Sequence, residues 1–138
     1  MLGSWEEGKG FIDASITVSA HCNRVATREG HLECASVELE GEAEPQDIIA
    51  AWENYRSEAQ QLQLPSAPQH TLIYRYEPNR PQTLLDRDAG HGMTVTLGRL
   101  RRCPILSYKF VLLGHNTIRG AAGGSILNAE MCVRKGLI

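Results

Sequence analysis

The stretch SITVSAHCNRVATREGHLECASVELE, residues 15–40, decides how this chain is read. Small and apolar residues alternate with polar ones on both sides of Arg28-Glu29-Gly30, a turn-forming tripeptide. The pattern predicts two strands, Ser15–Thr27 and His31–Glu40, joined as a hairpin. Successive side chains of a strand point to opposite faces. Ile16, Val18, Ala20, Cys22 and Arg24 therefore share one side of the first strand, and His31, Ala35, Val37 and Leu39 one side of the second. Arg24 and His31, seven positions apart, end those faces. A fixed cation and a titratable imidazole placed there are suited to hold a carboxylate and move a proton. The same spacing also accommodates a solvated Arg24 and a His31 that merely belongs to the turn.

Outward from this stretch, Met1–Asp13 is glycine-rich and carries a weak structural signal. Gly41–Glu44 is a polar connection. Pro45 fits a first helical turn, and Ile48, Ile49, Ala51, Trp52 and Tyr55 recur at helical spacing, predicting a helix from Asp47 to about Gln61. Leu64-Pro65-Ser66-Ala67-Pro68 breaks it. Thr71–Tyr76, Thr94–Leu100 and Tyr108–Leu113 read as strands, with a long polar loop, Pro78–Gly92, between the first two. Ile118–Lys135 reads as a helix, although Gly120, Gly123 and Gly124 each cost it roughly 1 kcal/mol relative to Ala. They imply close backbone approach to another element or a ligand, or else a loosely wound helix start. The order β-β-α-β-β-β-α predicts an α+β domain, a mostly antiparallel sheet with helices on one side.

With 138 residues, 42% hydrophobic and 22% charged, the chain has the composition of one globular domain. A net charge of -2 and the lack of a Lys/Arg block argue against a nucleic-acid partner. No apolar run approaches the ~20 residues of a membrane span, and no secretory signal is expected. Cys22, Cys34, Cys103 and Cys132 form no metal-ligand pattern, so no metal site is expected and reduced thiols in the cytoplasm are. The strand parity sets Cys22 and Cys34 on different faces, against a disulfide between them.

Four stretches resemble one family: VSAHCNRVATREGHLEC (Val18–Cys34), LPSAPQ (Leu64–Gln69), NRPQTLLDRDAGHGMTVTLGRLR (Asn79–Arg101) and KFVLLGHNTIRGAAGGSILNAE (Lys109–Glu130). In this order they resemble the C-terminal half of aspartate-β-semialdehyde dehydrogenases of the fungal and archaeal-type branch. The resemblance implies a glyceraldehyde-3-phosphate-dehydrogenase-like C-terminal domain over residues 11–138, after a poorly defined segment 1–10, with the nucleotide-binding domain absent. It implies a two-domain, homo-oligomeric enzyme that reduces β-aspartyl phosphate with NADPH to aspartate semialdehyde and phosphate, feeding lysine, threonine and methionine synthesis. Arg24 would pair with the substrate α-carboxylate, His31 would be the general acid/base, and Asn116 would contact the nicotinamide part of NADP. Gly120, Gly123 and Gly124 would let the last helix pack on the nucleotide domain.

Other positions carry less. Glu6 and Lys9 distantly resemble the family's phosphate-holding Glu-x-x-Lys element, but the stretch from Lys9 to Arg24 is too short for the family pattern, which favours an N-terminal scrap. His21 and His115 are expected to be hydrogen-bonded structural residues, and His70 and His91 to lie in loops. Arg80, Asp86, Arg87 and Asp88 are expected to form salt bridges near a subunit interface. Nothing matches the family's Asn-Cys nucleophile motif, and no GxGxxG phosphate cradle appears. The chain is therefore expected to be inactive by itself. A non-catalytic dimerisation module and a fragment of a malonyl-CoA reductase are the alternatives.

Overall fold

A computed structural model describes residues 3–138; Met1 and Leu2 of the N-terminal segment lie outside it. Its centre is a four-stranded sheet of order β3-β6-β5-β4. The strands are β3 (His31–Val37), β4 (Leu72–Arg75), β5 (Val95–Arg102) and β6 (Tyr108–Gly114). β6 runs antiparallel to β3 and β5, and only β4 and β5 are parallel, so the mostly antiparallel α+β expectation holds. The glycine-rich start forms a separate hairpin, β1 (Gly3–Glu6) with β2 (Gly10–Asp13), whose turn carries the Lys9–Glu6 ion pair at 2.7 Å.

The predicted strand Ser15–Thr27 does not form. This segment is irregular, β3 pairs with β6 instead of with it, and β3 ends at Val37. Alternation marks a strand only where a partner surface exists to bury one face. Here Ile16, Val18 and Val25 stay exposed, and local bonds from Ile16 N–H to Ala14 O and from Thr27 N–H to Val25 O fold the backbone on itself. The exposed β3 is correspondingly not the buried face the pattern implied.

The predicted helix Asp47–Gln61 is two helices, α1 (Pro45–Asn54) and α2 (Glu58–Gln61). Ser57 restarts the chain as an N-cap: its hydroxyl accepts from the Gln60 N–H while the Gln60 side chain accepts from the Ser57 N–H. Trp52 of α1 packs on Phe110 and Tyr74, ring centroids 5.0 and 5.9 Å away, covering one face of the sheet. The loop 78–92 contains a short helix, α3 (Thr83–Asp86), and lies over the other face, above the fully buried Leu113. The helices are thus divided between both faces rather than gathered on one. After β6 a π-turn, Ile118–Ala122, leads into α4 (Gly123–Arg134). Leu127 of α4 meets Ala59, Leu64 and Met93 in a small apolar core beside the sheet.

Candidate functional site

Antiparallel pairing sets His31, the first residue of β3, opposite Gly114, the last of β6. Directly opposite residues share a face, so His31 stands on the α1 side, beyond the row Ala35–Phe110 that α1 covers. Its imidazole is exposed and takes no hydrogen bond among the described residues.

Past the end of this ladder, side chains continue what the backbone began. The Gly30 N–H donates to Asn116 Oδ1 at 2.8 Å, and the Thr117 hydroxyl donates to Glu29 Oε2 at 3.2 Å. The ring of His115 is buried and braces the turn from below. Its Nδ1 accepts from the Ile118 N–H at 3.4 Å, which puts the ring proton on Nε2, 3.6 Å from Asp88 Oδ1. Gly30 has φ +103°, and a Cβ there would meet Leu113, Thr83 and Arg87 at 3.1–3.5 Å. The positive φ is what calls for glycine before His31, and a Cβ there would also be tight against Leu113.

The structure therefore brings two of the three sequence-predicted residues, His31 and Asn116, to neighbouring strand ends. Arg24 lies in the irregular segment, exposed, and not on the strand predicted for it. No hydrogen bond or ion pair ties it to another described residue. His115 is structural, as the sequence led one to expect. Arg80 and Asp86 form the expected salt bridge, joined by Arg75 at 3.3 Å, and Arg87 pairs with Asp88 at 3.5 Å. Sequence reasoning missed the Glu29–Thr117 tie and the clasp of Ser66 on Glu130, where the Ser66 N–H and hydroxyl donate at 3.0 and 2.7 Å. Both span large sequence separations, 88 and 64, that leave no spacing signal.

All four cysteines are free. Backbone N–H groups of Leu106, then Ile105, hold the Cys103 thiol below its ordinary pKa. Yet Cys103 sits before β6, at the end opposite Gly114; seven residues of strand set it about 20 Å from the His31 end. No cluster of three or more potential metal ligands occurs among the described residues.

The profile of the family described as "Semialdehyde dehydrogenase, dimerisation domain" matches residues 1–119. An aspartate-semialdehyde dehydrogenase of Archaeoglobus fulgidus is 44% identical over the whole chain, which covers 39% of that relative. A malonyl CoA reductase (NADP) of Metallosphaera sedula is 42% identical over 89% of the chain and 35% of its own length. The crystal structure of aspartate semialdehyde dehydrogenase with NADP from Candida albicans superposes with a TM-score of 0.88 at 39% identity, covering 100% of this chain and 40% of that one. The chain belongs to the semialdehyde dehydrogenase dimerisation-domain family. It spans about two fifths of the length of these relatives.

Proposed function

We propose that this chain supplies the substrate-binding and dimerisation part of an NADP-dependent aspartate-semialdehyde dehydrogenase of the cytoplasm, acting in lysine, threonine and methionine synthesis. The reading rests on the adjacency of His31 and Asn116 at the joined ends of β3 and β6. In it Arg24 forks onto the substrate α-carboxylate, once the segment that carries it is covered by substrate or a partner domain. His31, exposed and free of other hydrogen bonds, takes a proton from the attacking thiol in one direction and returns it in the other. Nothing in the sequence matches the family's Asn-Cys nucleophile motif, so in this reading the thiol comes from the nucleotide-binding domain, the chain's other partner.

Asn116 fits the nicotinamide end of the cofactor. A backbone N–H can only donate, so Asn116 Oδ1 must face Gly30, and Nδ2 remains free to donate to a carboxamide oxygen. NADPH, when bound, supplies the hydride; this chain's residues hold and orient around it.

The test mixes the purified chain with the separately expressed nucleotide-binding domain of a relative. Expected is phosphate-dependent NADP reduction with aspartate semialdehyde that neither part gives alone. His31→Ala is expected to lower it by roughly 10²–10⁴-fold, and Arg24→Ala to raise KM for aspartate semialdehyde. A mixture with no turnover overturns the reading. Turnover only in the parallel assay with malonyl-CoA and NADPH transfers it to malonyl-CoA reduction.

A further inference from the structure

We propose that Asn116 is a positioning residue for His31: its side-chain oxygen, by holding the Gly30 N–H, extends the β3–β6 ladder one step and fixes where the imidazole stands. The proposal rests on His31 being the acid/base group of the reaction above.

Three observations carry it. First, the backbone ladder ends at the His31–Gly114 pair, and the chain beyond Gly114 turns away toward the π-turn. The Gly30 N–H would have no strand acceptor; Asn116 Oδ1 at 2.8 Å takes that place. Second, His31 has no side-chain hydrogen bond among the described residues, so its position depends on its backbone. The residue just before it is a glycine, the most permissive type, whose conformation needs an external hold. Third, the holder is itself anchored. Buried His115 precedes Asn116, and the Thr117–Glu29 bond closes a second tie one position outward.

The same amide thus joins two tasks. Its oxygen sets the base, and its remaining donor faces out of the clasp. A change at Asn116 would move His31 even with nothing bound.

The experiment uses NMR on the 138-residue chain. In Asn116→Ala, amide exchange at Gly30 is expected to speed up by about tenfold or more, and the His31 ring resonances to shift. The methyl resonances of Leu97 and Leu127, buried away from Gly30, should stay in place, showing an intact fold. Asn116→Asp keeps an acceptor at the same reach and is expected to restore Gly30 protection to within about threefold. Should the Ala variant unfold, Asn116→Ser, too short to reach Gly30, carries the same expectation. Unchanged Gly30 exchange, or a released Gly30 with unmoved His31 resonances, overturns the proposal. These readouts need no turnover, so failure of the clasp and failure of the dehydrogenase reading are separate results.

Discussion

Asp86 accepts four hydrogen bonds, two from Arg80, one from Arg75 and one from the Gln82 N–H, with its side chain wholly shielded from solvent. Burial alone would raise its pKa. The Arg80 fork, the Gln82 N–H and the Arg75 charge together outweigh burial and hold the carboxyl below its usual range. A depressed native pKa contributes stability that is complete above the unfolded value, about 4, and is lost as pH falls through the native one. The melting temperature is expected to be insensitive to this group between about pH 5 and 8 and to drop below about pH 4. Asp86→Asn leaves two guanidinium groups short of their counter-charge. It should cost about 3 kcal/mol at neutral pH and flatten the acid limb of the curve. Thermal unfolding followed by circular dichroism checks both; an Asn variant as stable as the parent, with the same acid limb, would show the hub to be incidental.

At the scale of elements, the turn into α4 shows what glycine does in three nearby places. A Cβ at Gly124 would lie 2.6 Å from the Arg119 carbonyl oxygen, and one at Gly123 only 2.4 Å from Met93 Sδ, whereas one at Gly120 meets nothing closer than 3.7 Å. The close approach inferred from the sequence is therefore internal at two of the positions. Gly124→Ala is expected to destabilise by about 1–3 kcal/mol through overpacking against backbone. Gly120→Ala should be neutral or gain up to about 1 kcal/mol, because Ala restricts the unfolded chain. Equilibrium urea unfolding separates them, and equal effects would refute the contact-based account. Glu130, on the same helix, is expected to cost about 1.5–3 kcal/mol as Glu130→Ala, the range for charge-assisted bonds, because Ser66 loses both of its acceptors. These elements were legible where periodicity met a partner surface: α1, β4, β5, β6 and α4 follow the apolar pattern of the sequence. Ser15–Thr27 has as regular a pattern and forms no strand, because alternation records a wish to bury one face, not the presence of something to bury it. Of the candidate site, His31 and Asn116 were readable through the family motif. The bond from the Gly30 N–H to Asn116 was not, since these two residues lie 86 positions apart.

For the molecule as a whole, the unburied apolar surface is the main physical fact. Leu84 and Leu85 of α3 are 75% and 57% exposed, on the side of the sheet where Leu32 of β3 is also open. Ile126 and Val133 leave α4 apolar outward, and Leu137 and Ile138 follow them. A monomer this small rarely keeps such surface in water, and membership of a dimerisation-domain family gives it a use. No helix among the described residues is long and apolar enough to cross a membrane, so a bilayer-spanning helix is not what hides it. The chain is expected to self-associate: sedimentation velocity at tens of micromolar should show species of at least twice its 15.2 kDa. If α3 carries the contact, Leu84→Lys with Leu85→Lys shifts the population toward monomer while circular dichroism still shows a folded chain, because neither side chain is part of the buried core. If α4 carries it, Ile126→Lys with Val133→Lys has that effect and the α3 pair does not. A chain that sediments as a single well-behaved monomer at every concentration would mean that this surface is tolerated in water and makes no contact between copies.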